Sequence, residues 1–479
     1  MNQNTNFPQT HPKKRRWQLP GAILLLFALA AAACSSSATT AAPSTTVPTT
    51  TPPTTVPTTV ANPDPPPVET PADEEPATEG VEAFFDQLEN DGFEGVIAVR
   101  DGSDITARAF GVGDRENDVP IDPETVFDIG SITKQFTAAA ILHLEMEGRL
   151  SVDDTLGEHV PGLPEDKAAI TLHQLLTHTA SVPVGFGPDD EPIDRDEFLD
   201  RVSEAPLVSA PGSEFLYSNV GYALLAAVVE FETGEPYEAY LRTSLFEPAG
   251  MLDTGYLLPN WGDHTIAVGY DSQTAERFGR PNEQPWDENG PYWNLLGNGG
   301  ILSTAADMLR WDEALQTNDI LDAPAKAKFF APHVPLAPGA QVYYGYGWRI
   351  FPTPTGTPII DHDGGNNVFF AHLLRFSDAD VAIFLATNSF QEEEHDGLGP
   401  ELATHVLGAD PFASFQDEND EDTDSAERDC GFVDIDSLPE GSELAELPDS
   451  PAGRTTQLLL DLLADGDAAA RLDFAEKTT

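Results

Sequence analysis

The sequence predicts an α+β fold: an antiparallel sheet built from both chain ends of one domain, flanked by helices, with an inserted mostly helical subdomain. Three observations carry this. Two alternating apolar runs at 95–100 and 105–111, joined by a turn at Asp101–Asp104, read as an early hairpin. Four short runs rich in strand formers follow much later, at 345–351, 357–361, 367–376 and 381–387. Between them the apolar residues recur at helical spacing. Ile132, Phe136, Ala140 and Leu144 form one stripe of a helix from 131 to 147, stopped by Gly148. A second helix from 219 to 233 ends at Gly234, and a short one at 81–88 precedes the hairpin.

The ends have a different character. Lys13, Lys14, Arg15 and Arg16 precede an apolar run from Leu19 to Ala33, which is the pattern of an exported protein's signal peptide, 1–33. Its small residues run into Cys34 and resemble the lipobox of bacterial lipoproteins, which implies lipidation at Cys34 and a membrane anchor. Residues 35–63 carry no charge and consist almost wholly of Ser, Thr, Ala, Pro and Val. Such a segment buries too little apolar surface to fold, so 34–77 reads as a tether. The folded domain is expected at 78–410, followed by an acidic linker at 411–450 and a short helical segment at 451–479. The expected location is the bacterial cell envelope, exported, lipid-anchored and outside the cytoplasm.

Net charge is −57, with 81 acidic against 24 basic residues. Nucleic acid is therefore a poor partner, and the membrane is expected to be met through the anchor alone. The two cysteines are Cys34 and Cys430, so lipidation of the first leaves no disulfide partner for the second. No cofactor is expected and no metal site. His173 and His178 lie in a Leu-rich stretch and read as hydrogen-bonded interior groups. His143 and Glu147 have i, i+4 spacing without a third ligand nearby.

Ser131 and Lys134 form the one Ser-x-x-Lys of the chain. At a helix start, i and i+3 share a face, so the amine reaches the hydroxyl. A hydroxyl needs an adjacent base to attack at neutral pH, and a buried lysine supplies one once its pKa falls. A solvent-facing Lys beside an N-capping Ser would share the spacing. Beyond the leader, however, the only lysines are Lys134, Lys167, Lys326, Lys328 and Lys477, and Lys134 stands among apolar neighbours. Tyr217 and Asn219 open the second long helix, where a phenol and an amide are able to assist that lysine. Tyr292 and Asn294 repeat the spacing inside a Pro/Gly-rich loop. His362, Asp363, Gly364 and Gly365 follow a strand, and glycines there let a ligand approach the backbone. His395 and Gly397 repeat that pattern after an acidic run and read as an exposed turn.

In this order the three elements resemble the motifs of serine β-lactamases and penicillin-binding proteins, particularly the esterase and D-aminopeptidase branch related to class C β-lactamases. The resemblance rests on segments 127–134 (FDIGSITK), 170–179 (ITLHQLLTHT), 211–223, 245–251 and 299–311, and covers roughly 80–410. It implies a β-lactamase/transpeptidase-like fold, Ser131 as acylated nucleophile, Lys134 as general base and Tyr217 as acid/base partner. Asn219 becomes a positioning residue, and the N–H groups of Ser131 and Gly365 an oxyanion hole. His362 stands where β-lactamases of this branch usually have Lys. A partly neutral imidazole favours esters or amides that lack an obligatory carboxylate. The implied function is a serine hydrolase of carboxylesterase, D-aminopeptidase or D-alanyl carboxypeptidase type, acting on a small molecule or peptide, with peptidoglycan a possible partner. A β-lactamase and a non-catalytic cell-wall or peptide-binding protein are the alternatives.

Overall fold

The computed structural model describes residues 77–416, apart from 260, 263, 284, 285, 287–289, 367, 392–394 and 396. The signal peptide, Cys34, nearly all of the tether, the acidic linker beyond 416 and the 451–479 segment lie outside the described residues.

Helix α1 (Ala77–Asp91) leads into the hairpin β1 (Gly95–Asp101) and β2 (Asp104–Phe110). The chain then leaves the sheet for a helical region that includes α2 (Thr133–Met146), α3 (Asn219–Thr233) and α4 (Ala305–Gln316). It returns through β3 (Val334–Pro335), β4 (Tyr343–Tyr344), β5 (Arg349–Phe351), β6 (Ile359–Gly365), β7 (Phe370–Phe376) and β8 (Val381–Thr387). Helix α5 (Leu398–Leu407) follows. The eight strands form one antiparallel sheet in the order β2-β1-β8-β7-β6-β5-β4-β3. The first hairpin thus joins the last strand, with Gly95 opposite Thr387 and Asp101 opposite Val381.

Strand parity decides which core each side chain enters. Val96, Ala98, Leu373, Phe384 and Ala386 join the large core with Phe136 and Met308. Ile97, Val99, Leu374, Ile383 and Leu385 turn the other way, onto Phe84, Phe85 and Leu402 of α1 and α5. Both faces are covered, which is why β8 reads as a continuous apolar run rather than an alternating one. Each buried Ile, Leu, Val or Phe contributes about 1.5–3 kcal/mol. A charged clamp ties α4 to the sheet: Asp312 accepts from Arg100 Nη2 at 2.6 Å and from Arg375 Nε at 2.5 Å, with all three side chains buried.

Three local differences from the sequence expectations shape the surroundings of Ser131. That residue lies in a 3-10 turn, Gly130–Ile132, and the α-helix begins only at Thr133. The strand expected to stop at Asp361 runs on to Gly365, because His362 to Gly365 pair with Leu373 to Phe370 of β7. The run at 345–351 is broken by a turn, with Gly347 at φ 78°. A Cβ on Gly347 would lie 2.9 Å from the backbone of Lys134 and Gln135, so this turn presses on the start of α2. Helix α3 has the expected bounds. Ser218 caps it by accepting from Gly221 N at 3.1 Å, and Gly234 stops it in the left-handed conformation.

Candidate active site

The centre of the site is built from backbone first. Gly130 adopts φ 51°, and Asp128 Oδ1 accepts its N–H at 2.8 Å. Asn366 Nδ2 donates to the other Asp128 oxygen at 3.3 Å, tying the Ser131 turn to the end of β6. A Cβ on Gly364 would fall 2.4 Å from Ser131 N and 2.2 Å from Ile129 O. Only glycine allows that approach, which brings the 364–365 backbone against the Ser131 turn.

Lys134 lies one turn further along and is fully buried. Its Nζ is 3.0 Å from Ser131 Oγ, 2.9 Å from Asn219 Oδ1 and 2.7 Å from the Asn298 carbonyl oxygen. Burial pushes the amine pKa down to about 7, against the opposing pull of Asp189 and Asp363. The neutral form suits these partners. Its two N–H bonds serve Asn219 Oδ1 and the Asn298 carbonyl oxygen, atoms that only accept, and its lone pair faces the Ser131 hydroxyl.

The Tyr217 ring centroid is 4.7 Å from Lys134 Nζ. Burial raises the pKa of its phenol, and a hydrogen bond with Ser131 opposes that rise. His178 fixes the tyrosine's place. It holds φ 55°, and its carbonyl accepts from Leu216 N at 2.7 Å while its Nδ1 accepts from Ser218 N at 3.0 Å. Both chain neighbours of Tyr217 are thereby anchored, and the two rings lie 4.2 Å apart. Burial holds His178 far below its ordinary pKa, in keeping with an accepting nitrogen. The expectation of an interior histidine is met, and its position beside Tyr217 explains the need for one.

His362 is also buried. Its Nδ1–H donates to the Asp363 carbonyl at 2.5 Å, and Tyr344 Oη donates to Nε2 at 3.0 Å. That pattern belongs to a neutral imidazole, and burial pushes its pKa well down. The cation beside it is Arg349 of β5, which sequence reasoning missed. Its Nε and Nη2 each reach Asp361 at 2.8 Å, and Nη2 also pairs with Asp363 at 2.7 Å. Burial alone would raise both carboxyl pKa values, but Arg349 and the neighbouring histidines together outweigh it and lower them. Two aspartates flanking His362 in a strand were the available signal, since i and i+2 share a face.

Ser131 opens onto two cavities. One, of about 440 Å³, is bounded by Asp128, Asp189, Trp286, Leu295 and Phe369. The other, of about 360 Å³, is bounded by Phe215, Tyr217, Tyr344, Arg349, His362 and Asp363. Gly365 borders both.

The repeated motifs lie elsewhere. Tyr292 lines neither cavity, while Asn294 donates to the Pro188 carbonyl at 2.9 Å and braces the loop carrying Asp189. His395 is buried rather than in an exposed turn: Phe93 and Phe390 pack on its ring, and its Nδ1 accepts from Gln391 N at 2.9 Å. His143 bonds to Tyr240 Oη at 3.0 Å, and His173 to Tyr346 Oη at 2.7 Å. Among the described residues no group of three or more His, Cys, Asp or Glu side chains is placed to hold a metal ion.

The sequence model of the Beta-lactamase family matches residues 81–407, which contain this whole arrangement. The chain belongs to the beta-lactamase family. A relative within the wider group is penicillin-binding protein 4* of Bacillus subtilis, 29% identical over 348 residues, spanning 69% of this chain and 76% of that one. The octameric penicillin-binding protein homologue from Pyrococcus abyssi superposes with a TM-score of 0.60 at 25% identity, covering 71% of this chain and 79% of that one. A class C beta lactamase from Rhodobacter sphaeroides shares the fold with a TM-score of 0.59 at 22% identity, over 69% and 99% of the two chains. The chain therefore has the serine hydrolase fold of the beta-lactamases and penicillin-binding proteins.

Proposed function

We propose that this family member hydrolyses esters or amides through an acyl-enzyme on Ser131. One observation carries the reading: a fully buried lysine, with its pKa lowered to about 7, 3.0 Å from the serine hydroxyl. As Ser131 Oγ bonds to the substrate carbonyl carbon, neutral Lys134 takes the hydroxyl proton. Charge gathers on the former carbonyl oxygen, to which the N–H groups of Ser131 and Gly365 donate. The bond to the leaving group then breaks. That group takes a proton passed from Lys134 through Tyr217, whose raised pKa keeps the phenol protonated and able to donate. Water attacks the seryl ester in turn, releasing the acid and returning the proton to Oγ.

Carboxylesterase and D-aminopeptidase chemistry fit this scheme directly; D-alanyl carboxypeptidase chemistry shares the acyl-enzyme but also needs a seat for the carboxylate of the departing D-alanine. β-Lactams, which the names of the relatives suggest, should acylate Ser131 but turn over poorly. Neutral His362 offers little fixed charge to hold their carboxylate. The test is mass spectrometry after exposure to an ester-type active-site reagent. The peptide containing Ser131 should gain one acyl mass, and Ser131→Ala should lose the label together with roughly 10³-fold or more of ester turnover. Full turnover by Ser131→Ala would refute the proposal, whereas absence of both labelling and ester turnover in the native protein would favour a binding role for the fold.

A further inference from the structure

The two cavities at Ser131 differ in where a leaving group can go. Tyr217, the proposed proton donor to the leaving group, borders only the Arg349 cavity. A departing alcohol or amine therefore sits among Tyr217, Tyr344, Arg349 and Asp363. Among the described residues Arg349 is the one side chain lining that cavity with a permanent positive charge, and it is the natural seat for a carboxylate on the leaving group.

That seat is already taken. Asp361, opposite Arg349 in the strand register, holds Nε and Nη2 from within the sheet and is only 4% exposed. The Asp361 carboxylate, which also pairs with His372 Nε2 at 2.8 Å, already meets the guanidinium through two of its nitrogens. Asp363 adds a second on the same Nη2, at 2.7 Å, and its side chain is 39% exposed at the cavity. It stands where an incoming carboxylate would bind, and being part of the chain it competes at high effective concentration. A substrate carboxylate would have to displace Asp363 and then face its unpaired charge close by, a like-charge contact that opposes binding in a partly desolvated site.

We propose that Asp363 determines leaving-group specificity: its carboxylate occupies Arg349 and excludes leaving groups that carry a carboxylate, so the enzyme acts on esters and amides with neutral or cationic leaving groups. This rests on Ser131 acylation as proposed above. It differs from the effect of His362, which only withholds a charge, because Asp363 actively blocks one.

The experiment compares kcat/KM for 3-carboxy-4-nitrophenyl acetate with that for its methyl carboxylate ester, in which the charge is removed and the scaffold kept. The native protein should favour the methyl ester by at least about tenfold. Asp363→Asn and Asp363→Thr should each raise the charged-to-neutral ratio by about tenfold or more, whatever happens to the absolute rates. A merely structural role would lower both rates together and leave the ratio unchanged, and an unchanged ratio in both variants overturns the proposal. A second comparison needs no variant. Phenylacetate should inhibit the native protein no more tightly than phenylacetamide, and tighter inhibition by phenylacetate counts against Asp363. Ser131→Ala separates the two ideas. Hydrolysis that survives it overturns the acyl-enzyme reading, whereas Ser131-dependent hydrolysis with an unaltered ratio overturns only the role of Asp363.

Discussion

The Trp286 and Arg349 sides of Ser131 are of comparable size but opposite design. On the Trp286 side, Leu295, Phe369 and Trp286 form apolar walls, the charged groups are Asp128, Asp189 and Asp190, and no Lys, Arg or His lines the cavity among the described residues. The Arg349 side has a cation, but one held between two aspartates, with a neutral imidazole and two phenols around it. On the proposed function, the Trp286 side would select by shape and apolar contact, and the Arg349 side by which hydrogen bonds and charges are left over after the protein has satisfied its own. The element common to both is Ser131, with Lys134 beside it.

The largest expected effect removes that shared element. Lys134→Ala should cost nearly as much ester turnover as Ser131→Ala, on the order of 10³-fold, because nucleophile and base act as one unit. In the native protein, kcat/KM should follow a rising limb with midpoint near pH 7. Lys134 is lowered to about 7, so its neutral, basic form prevails above that value and is lost by protonation as pH falls through it. His362 is pushed well below its ordinary range and should add no limb near neutrality. A flat profile from pH 5 to 9 would remove Lys134 as the base. Tyr217→Phe should also lose much of the rate, while Tyr292→Phe, outside both cavities, should not.

A smaller effect should be confined to the Arg349 side. His362→Lys places a fixed charge beside Ser131 and should raise β-lactam acylation relative to ester hydrolysis by on the order of tenfold. Stopped-flow acylation rates read this directly. Rapid cephalosporin turnover by the native protein would mean that neutral His362 does not restrict carboxylates.

The smallest effect belongs to the Trp286 side. Leu295 lies under Gly299 and Gly300 and lines that cavity. Leu295→Trp should narrow it and shift preference from hexanoyl towards acetyl esters by about tenfold, since a few methylenes in an apolar pocket are worth that much. If the shift appeared instead between charged and neutral leaving groups, the two sides would have been assigned the wrong way round.

The sequence by itself determined the local features. Helix α3 was legible from end to end, because its stop and its apolar periodicity are properties of neighbouring residues. The hairpin of β1 and β2 was legible from its alternation and turn, and Ser131 with Lys134 from i, i+3 spacing and the scarcity of lysine. Tyr217, Asn219 and His362 could be singled out by motif order, and the structure brings all three to the serine.

Tertiary structure decided the rest. That β6 continues through His362 to Gly365 depends on pairing with β7, and no local pattern records a partner strand. His178 reads as one of several interior histidines until its contacts with Leu216, Tyr217 and Ser218 are seen. Arg349 lies 12 residues from Asp361 in sequence, and it becomes part of the site only because β5 and β6 place the two side chains in register. Lysine basicity is decided in the same way. Spacing brings an amine to a hydroxyl, but only the packing of several distant segments excludes water around Lys134, and desolvation is what lowers its pKa.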